Sequence, residues 1–542
     1  MRTGLGVVAL LACACALAQP DKLAMEGNNG YVLVRIVTHA AVPHPLMGYN
    51  TRWRDLVVKS ADGTEVRISP APDAGRRSTQ VFAQPLAEGR YKLAGLRSSG
   101  AGIPLAPGDL EFEVKRGQVA NLGTLIIQPI GNNEYAVVLY AGVADLQEYL
   151  AREQPALAGV AGAGTLGWSV GKGADGAASG PQWLVVSNTA AGGIIGTITM
   201  NLIQAKINAD AKTAPVAAWK ETNDPAARLR LAKQHTYSLN GIQRLLDGRI
   251  AAGTNLGQVL LRDAEAGWQR FDLEDPREIT ALYAPDGKRM IAGGEEGLLV
   301  STLDGGKTWT RHRPAVAGGL IVHVAEHEGQ LLVLSAVNDD LWLHATRDLA
   351  AGAWRELKRE KMDFLGLRIH AHMQGMGALH EGRYYMVVPG QSIHVLDLAT
   401  GVWTTSKPDG PFRFMGAVPG GFAYATGAIN RVAPYMSRDG GATWTKLANS
   451  CTATFSGVLS VAFLAPGDAY LLCVEIGTWS NDYSIQRTKD GGATWTTVLA
   501  EVPGRPLQMY ATPEILMFVD VTGQIHSSRD GGTTWRVDRR PS

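Results

Sequence analysis

The chain has 542 residues, of which 45% are apolar and 19% are charged, so it is long enough for several domains with cores of their own. Its 51 lysines and arginines nearly cancel its 50 aspartates and glutamates and leave a net charge of +1. The sequence therefore predicts no nucleic-acid partner and gives no electrostatic reason to expect binding to an anionic membrane.

The first residues have the features of a secretory signal. Arg2 precedes an apolar run from Leu5 to Leu17, and Ala16 and Ala18 give the small-x-small pattern of a cleavage site. Cleavage after Ala18 would make residues 1–18 a signal peptide and predicts a periplasmic or extracellular protein. Residues 10–13 also approximate a lipobox, so a lipoprotein anchored at Cys13 is the alternative. It is less favoured because its apolar region would be very short.

Residues 28–130 have the pattern of a small β-sandwich domain. Short stretches alternate apolar and polar residues, and turns such as Asp62-Gly63 and Glu88-Gly89 separate them, as is typical of antiparallel strands. Residues 88–93, followed by 112–119, resemble the edge of a carboxypeptidase-regulatory-like sandwich. The resemblance covers only this short part of the domain, and the domain shows no group of residues that predicts a site.

Residues 131–233 form a connector that is helical in part and rich in glycine and alanine. Val143–Arg152 has the pattern of a helix, and Ala158–Gly180 has the composition of a linker. Trp183–Gln204 is apolar and long enough for a membrane span. Several polar residues dilute this run, and four consecutive glycines and alanines interrupt it at Ala190, so a soluble packing helix is favoured over a membrane span.

Residues 234–542 contain four copies of the motif Ser/Thr-x-Asp-Gly-Gly-x-Thr-Trp. In such a turn the aspartate can accept backbone N–H groups, the glycines can adopt positive φ, and the threonine begins the next strand. The tryptophan carries a large apolar surface into the layer beneath. We therefore predict structural roles for the aspartates and tryptophans of these turns, which are Asp304, Asp439, Asp490, Asp530, Trp309, Trp444, Trp495 and Trp535.

Three weaker copies, marked by Trp268, Trp354 and Trp403, complete a series of seven tryptophans at steps of 40 to 51 residues. A repeat of this length is the period of a four-stranded propeller blade. The motif resembles the Asp-box, or BNR repeat, of the sialidase-like β-propellers, and the arrangement is closest in type to the seven-bladed propellers of photosystem II assembly factors. The predicted fold is mainly β: a seven-bladed Asp-box β-propeller over residues 234–542, preceded by a small β-sandwich and a Gly-rich, partly helical connector.

The resemblance implies where ligands bind and which residues to look for. Asp-box turns lie on the rim away from the ligand-binding face, which is built by the turns between the second and third strands and by the connections between blades. Sialidases of this superfamily carry an arginine triad, a Tyr–Glu pair, an acidic Asp and a Phe/Tyr-Arg-Ile-Pro motif. The nearest match here is Phe412–Phe414, which lacks the proline and lies in the fifth blade. No catalytic residue and no cofactor is therefore assigned.

The ligand face is expected to carry several acids that share no motif, namely Glu295, Glu296, Asp339, Asp340, Asp482 and Asp520. Hydrolysis of a glycoside normally needs two carboxyl groups that face each other, or a Tyr–Glu substitute. The sequence therefore favours an exported, monomeric, non-catalytic propeller that binds a protein or glycan partner in the cell envelope. A glycoside hydrolase of sialidase type is the alternative function.

Two aromatic residues and two cysteines complete the candidate sites. Trp479 and Tyr483 fall in a long ligand-side loop of the sixth blade and are the predicted partner-binding residues, although Trp479 could equally cover its own blade. Cys451 and Cys473 remain after removal of the signal and could form a disulfide or stay as two buried thiols.

A metal site is a weaker hypothesis. His370 and His372 have a spacing that would place both imidazoles on one face of a strand, as zinc or copper ligands require. No third ligand can be placed from the sequence, so no metal site is predicted.

Overall fold

A computed structural model describes the larger part of the chain. The described residues are 28–38, 53–71, 79–97, 102–104, 110–131, 134–140, 144–159, 168–170, 183–185, 225–234, 238–263, 265, 267–362, 376–388, 391–407, 414–418, 422–426, 434–448, 451, 456–465, 467–476, 481–503, 506–520 and 523–538. They form strands almost throughout, and the prediction of a mainly β fold is confirmed.

The N-terminal domain consists of two sheets. Its strands are β1 (Asn29–Thr38), β2 (Asp55–Ser60), β3 (Glu65–Ile68), β4 (Thr79–Ala87), β5 (Gly89–Arg97), β6 (Gly102–Pro104), β7 (Leu110–Val114), β8 (Val119–Gly131), β9 (Glu134–Tyr140), β10 (Trp168–Val170) and β11 (Trp183–Val185). One sheet has the order β11-β9-β8-β1-β4, and the other has the order β10-β7-β5-β2-β3 with β6 beside β5. Alternate side chains such as Val32, Val34, Leu56 and Val58 fill the core between the sheets, as the period of two along a strand requires.

The sandwich does not end at residue 130, where the sequence places its boundary. β9 forms a hairpin with β8, and the short strands β10 and β11 each add to one of the two sheets. These strands lie within the predicted connector. The sequence did not predict them because its glycine- and alanine-rich composition gives few of the patterns that indicate a strand. Trp183–Val185 is therefore a strand and not the start of a helix, and residues 186–204 lie outside the described part of the chain.

Three helices follow or accompany the sandwich: α1 (Ala144–Glu153), α2 (Pro155–Ala158) and α3 (Pro225–Gln234). α1 falls where the sequence predicts a helix. Its apolar residues Leu146, Tyr149 and Leu150 have the spacing of one helical face and pack on Leu33 of β1. None of the helices in the described part of the chain is long and apolar enough to cross a membrane.

Seven four-stranded antiparallel sheets follow among the described residues, each with its strands in chain order. We call them blades 1 to 7. Their strands are β12 (Asn240–Arg244), β13 (Ile250–Thr254), β14 (Gln258–Arg262) and β15 (Trp268–Asp272) in blade 1; β16 (Ile279–Tyr283), β17 (Met290–Gly294), β18 (Leu299–Thr302) and β19 (Thr310–Arg311) in blade 2; β20 (Leu320–His327), β21 (Gln330–Val337), β22 (Asp340–Thr346) and β23 (Arg355–Lys361) in blade 3; and β24 (Gly377–His380), β25 (Arg383–Val388), β26 (Ser392–Asp397) and β27 (Trp403–Ser406) in blade 4.

The remaining strands are β28 (Phe414–Val418), β29 (Phe422–Thr426), β30 (Pro434–Ser437) and β31 (Thr445–Lys446) in blade 5; β32 (Ser456–Ala465), β33 (Asp468–Ile476), β34 (Asn481–Thr488) and β35 (Thr496–Leu499) in blade 6; and β36 (Pro506–Thr512), β37 (Ile515–Asp520), β38 (Ile525–Ser528) and β39 (Arg536–Val537) in blade 7.

Apolar cores hold these sheets in a ring. Each pair of successive blades shares a cluster of buried side chains. A further cluster joins Ile250 and Leu260 of blade 1 to Met517 and Val519 of blade 7, so the last sheet packs on the first. All four strands of blade 7 come from the C-terminal part of the chain, and no strand from the N-terminal domain is needed to complete it.

The marker tryptophans occupy equivalent places in the ring. Each of the seven stands at, or one residue before, the first residue of the fourth strand of its blade. Trp309, Trp444, Trp495 and Trp535 are partly buried and pack on a core shared with the preceding blade. The repeat in the sequence is therefore a repeat of the contact between one blade and the next.

Candidate functional site

The two rims of the ring differ in what they carry. One rim carries the turns between the third and fourth strands, and we call it the Asp-box rim. The other carries the turns between the second and third strands and the connections between blades, and we call it the ligand face because loops on a rigid scaffold are where proteins place binding residues. The ligand face is the candidate site, and its first two blades are covered by other parts of the chain.

In blade 1 the ligand-face turn is buried under the sandwich. Leu256, at the tip of the β13–β14 turn, has the left-handed φ of 55° and is fully buried. Its side chain packs among Val37, Ile126 and Val138 of the five-stranded sheet and Ala232 of α3. A leucine rarely adopts positive φ, so this contact holds a strained residue in place.

In blade 2 the equivalent turn ends in a buried ion pair. Glu296 also has a left-handed φ, of 54°, and its side chain is only 1% exposed. Arg35 Nη1 of β1 donates to Glu296 Oε1 at 2.7 Å, and Arg152 Nη2 of α1 donates to Oε2 at 3.0 Å. The tip of blade 2 is thereby fixed to both the sandwich and the first helix.

The neighbouring acid, Glu295, is also fully buried at this contact. It accepts hydrogen bonds from the backbone N–H of Thr79 in β4, at 3.2 Å, and of Glu278, at 3.1 Å. Glu295 and Glu296 are two of the acids that the sequence places on the ligand face. They do lie on that face, but they bind the protein's own N-terminal domain.

A second group of charges extends the same contact. Arg277 donates two hydrogen bonds to Asp275, at 2.9 and 2.7 Å, and pairs with Glu148 of α1 at 3.1 Å. Arg311 of blade 2 also reaches Asp275 at 2.7 Å. Burial alone would raise the pKa of Asp275, but Arg277 outweighs it and lowers that pKa to about 2. Asp275 is therefore a charged structural partner at physiological pH.

In blade 3 the tip of the equivalent turn is exposed. Asn338, at the position of Glu296 and with the same left-handed φ of 53°, is exposed, and Asp339 beside it is exposed as well. The next residue, Asp340, accepts a hydrogen bond from Arg359 Nη2 at 2.8 Å. The Arg359 guanidinium lies over the ring of Trp342 at 4.0 Å from its centroid. We call blades 1 and 2 the covered sector, and we call the exposed ligand-face residues of blades 3 and 6, which are Asn338, Asp339 and Asp482, the open sector.

Two further ligand-face acids lie in blades 6 and 7. Asp482 is exposed, whereas Asp520 is buried at the end of β37. Asp520 accepts the backbone N–H of Gln524 at 3.0 Å and binds His526 Nε2 at 2.7 Å. His526 in turn stacks on Phe518 with ring centroids 4.6 Å apart. Asp520 therefore holds its own turn together.

The aspartates of the Asp-box turns all have the same role. Asp490 Oδ1 accepts the Thr488 hydroxyl at 2.8 Å and the Thr494 backbone N–H at 2.9 Å, while its Oδ2 accepts the Thr494 hydroxyl at 2.5 Å. These bonds, with the Thr494 hydroxyl first, lower the pKa of Asp490 to about 2. Asp304, Asp439 and Asp530 make the same set of bonds within their turns, and the pKa of each is also lowered.

The second glycine of the Asp-box turn in blade 2 has a packing reason. Gly306 has a φ of 91°, and a Cβ atom there would lie 2.7 Å from the Phe271 ring of blade 1. Only a glycine allows the turn to lie this close to the preceding blade. The Asp-box turns are thus built from internal contacts, and their carboxylates are saturated with hydrogen bonds.

The predicted partner-binding aromatics are only partly described. Trp479 lies outside the described residues. Tyr483 does not stand free in a loop, as the sequence suggests: it lies in β34, is half-buried, and packs on the core between blades 6 and 7. The strand begins at Asn481, three residues earlier than the sequence indicates, because Ile476 and Asn481 pair at its end.

The two cysteines are joined in the structure. Cys451 and Cys473 form a disulfide within the core between blades 5 and 6. His370 and His372 lie outside the described residues, so their spacing is not tested. Within the described ranges, no group of three or more His, Cys, Asp or Glu side chains is arranged to hold a metal ion.

Sequence reasoning missed the basic residues that cover the ligand face, namely Arg35, Arg152 and Arg277. Arg35 had a usable signal, because it is the only charged residue in the apolar strand from Tyr31 to Val37. A lone arginine inside such a strand indicates a buried ion pair, since an unpaired buried charge is very costly. Its partner could not be read from the sequence, because Glu296 is 261 residues away.

Comparisons with known proteins give no family for this chain. No family model matches it, and no curated protein matches it. Among solved structures, YCF48 bound to D1 peptide has 16% identity and a TM-score of 0.41 and covers 54% of this chain and 91% of that one. YCF48 from Cyanidioschyzon merolae has 16% identity, a TM-score of 0.40, and covers 53% and 92%. BamB from Moraxella catarrhalis has 13% identity, a TM-score of 0.36, and covers 53% and 81%. These values assign neither a family nor a function.

Proposed function

We propose that the chain is an exported, non-catalytic propeller of the Asp-box type, which binds a protein partner in the cell envelope through the open sector of its ligand face. The observation that carries this proposal is the state of the ligand-face acids. Glu295, Glu296, Asp340 and Asp520 are each bonded to a basic side chain or to backbone N–H groups of the same protein.

These contacts disfavour a hydrolase. A glycosidase needs one carboxyl group able to give a proton and a second one facing it across the substrate. The four acids serve instead as acceptors in structural bonds, and they belong to blades 2, 3 and 7. A binding surface needs no such pair, because a few exposed anchors on a rigid ring are sufficient for recognition.

The nature of the partner follows from the open sector. Asn338 and Asp339 present polar tips, and Arg359, which bonds the adjacent Asp340, lies over the ring of Trp342. Sugars are usually bound on an open aromatic face, and the guanidinium occupies one face of this indole. Arginine and tryptophan together are enriched in the hot spots of protein interfaces, so a protein partner is favoured over a glycan. The cell envelope is proposed from the signal at residues 1–18 and suits the Cys451–Cys473 disulfide.

A site-specific photocrosslinker would test this proposal. We would place p-benzoyl-phenylalanine at Asp339 on the ligand face and, as a control, at the exposed Glu328 on the opposite rim of the same blade. We expect one protein adduct from position 339 in envelope preparations and no such adduct from position 328. The partner identified by mass spectrometry would then be purified and titrated against Asp339→Arg and Glu328→Arg.

We expect Asp339→Arg to weaken that complex at least about tenfold, or 1.4 kcal/mol, and Glu328→Arg to leave it unchanged. Equal crosslinking from both rims would contradict the use of the ligand face. An adduct that contains only sugar would show that the partner is a glycan and not a protein. Release of 4-methylumbelliferone from its sialic-acid glycoside by the wild type would show that the protein is a hydrolase.

A further inference from the structure

The outermost strand of blade 3 differs from the outer strands of the other blades. β23 has seven residues, whereas β19, β31 and β39 have two each and β15, β27 and β35 have four or five. Outer strands are sheet edges, and proteins usually keep such edges short to prevent pairing with other chains. Among the described residues no strand pairs with the outer edge of β23.

β23 also has side-chain contacts on both of its faces. On the side of blade 2, Arg359 lies over Trp342 at 4.0 Å. On the side of blade 4, Lys358 lies over the Trp403 ring at 5.0 Å and pairs with Glu360 at 2.8 Å. A rigid edge loses little conformational entropy when a further strand is added to it.

The charge of this strand selects what can pair with it. β23 carries Arg355, Lys358, Arg359 and Lys361 against Glu356 and Glu360, a balance of four positive and two negative charges. Opposite charges across from each other stabilise paired strands, and a second copy of β23 offers them in a register that places Arg355 opposite Glu360 and Glu356 opposite Arg359. An acidic strand would instead place its carboxylates beside these cations.

We propose that β23 is an edge-pairing site for an extended, acidic segment of a partner protein. The segment adds a fifth strand to blade 3, its backbone pairs with the outer edge of β23, and its acidic side chains lie beside the cations of that strand. This surface is on the outer rim of one blade. Arg359 belongs to both surfaces, but the edge proposal does not need the ligand-face proposal, and its test at Arg355 can fail or hold separately from the test at Asp339.

The probe is a fluorescein-labelled, end-capped octapeptide of alternating valine and glutamate, measured by fluorescence anisotropy. The controls are the same peptide with lysine in place of glutamate and the same peptide with alternate backbone nitrogens methylated. We expect saturable binding of the acidic peptide, binding at least about tenfold weaker for the basic peptide, and loss of binding on methylation, because a methylated amide cannot donate to the edge.

Charge-reversal variants test whether the acidic peptide binds at β23. Arg355→Glu, at an exposed end of β23, should weaken the acidic peptide at least about fivefold by the charge reversal. Arg438→Glu, at an exposed cation on an Asp-box turn, is the matched control and should have no effect. Thermal unfolding of both variants would show that each remains folded.

Hydrogen exchange gives the second readout. Outward-facing amides of residues 355–361 should exchange quickly in the free protein and slowly with the peptide. Four results would overturn the proposal: slow exchange of every amide of β23 in the free protein, equal binding of the methylated peptide, equal binding by Arg355→Glu, or protection of β23 through concentration-dependent dimers in place of peptide.

Discussion

Arg262 of blade 1 and Asp538 of blade 7 form a buried ion pair that joins the first and last sheets of the ring. Arg262 Nε donates to Asp538 Oδ2 at 2.6 Å and Nη2 donates to Oδ1 at 3.2 Å, with side chains 3% and 0% exposed. Trp268 Nε1 and Ser527 Oγ donate to the same carboxylate at 3.0 and 2.5 Å. Hydrogen bonds to the Asp538 carboxylate therefore join the first and last blades, in addition to the apolar core that these blades share.

Removal of this carboxylate should destabilise the ring. Asp538→Ala leaves Arg262 buried without its partner, and we expect a loss of about 3–5 kcal/mol in the free energy of unfolding. Urea unfolding followed by tryptophan fluorescence would measure it. Asp247→Ala, at an exposed carboxylate, is the control and should cost under about 1 kcal/mol. A loss for Asp538→Ala as small as that of the control would show that the apolar core alone closes the ring.

Loss of the Glu296 charge should loosen the sandwich from the propeller. Glu296→Gln leaves Arg35 and Arg152 without the carboxylate that both contact, and we expect a loss of about 3 kcal/mol at this interface. Hydrogen exchange should become faster in β1 and in the β17–β18 turn and stay unchanged in blade 5. Glu65→Gln, which breaks an exposed pair with Arg97, is the matched control and should change neither region. Uniform acceleration across all blades would point to global destabilisation instead.

His323 should make stability depend on pH. It lies between blades 3 and 4, where its Nδ1 and the Tyr384 hydroxyl are 3.0 Å apart, and burial lowers its pKa from 6.5 to about 4. Between these values the unfolded chain binds a proton that the folded chain does not, so stability falls as pH falls from 6.5 toward 4. We expect His323→Asn to remove about 2 kcal/mol of the difference in unfolding free energy between pH 8 and pH 5.

The comparison of urea curves at the two pH values, for the wild type and for His323→Asn, tests this. Other histidines of the ring contribute to the wild-type dependence, so the quantity that matters is the difference between the two proteins. An identical pH dependence in both would mean that His323 takes up its proton in the folded state.

The Cys451–Cys473 disulfide closes a loop with a sequence separation of 22, which should stabilise the folded state by about 3 kcal/mol. Both cysteines are nearly buried, so a mild reductant should act slowly until the protein is partly unfolded. Thiol titration of the denatured protein should find no free cysteine if residues 1–18 have been removed. Two free thiols, with an unchanged melting temperature under reductant, would contradict the bond.

The sequence predicted the features that local repetition encodes. Each blade carries its own turn residues and its own tryptophan, so the spacing from Trp268 to Trp535 locates the fourth strands without knowledge of the rest. The contact between Arg35 and Glu296 has no such local signal. The turn Glu295-Glu296-Gly297 resembles any exposed hairpin turn, and only the distant β1 turns it into a buried interface.

The same limit applies to the predicted anchors. Tyr483 follows a polar stretch that indicates a loop, but the pairing of β33 with β34 extends the strand and draws its ring toward the core. The unusual length of β23 is also invisible in composition, because a charged run is typical of many solvated segments. In both cases the length of the strand depends on the strand with which it pairs, and tertiary structure sets that pairing.

The position of the sandwich has a consequence for how a partner can be oriented. Successive similar sheets give a ring an approximate rotational symmetry, and a partner that recognised only the shape of the turns could bind in several rotated positions. The turns of blades 1 and 2, which carry Leu256 and Glu296, are buried, whereas Asn338 of blade 3 is exposed. The docked N-terminal domain therefore breaks this symmetry. A partner that binds the exposed turns can have only one orientation relative to the N-terminal half of the chain.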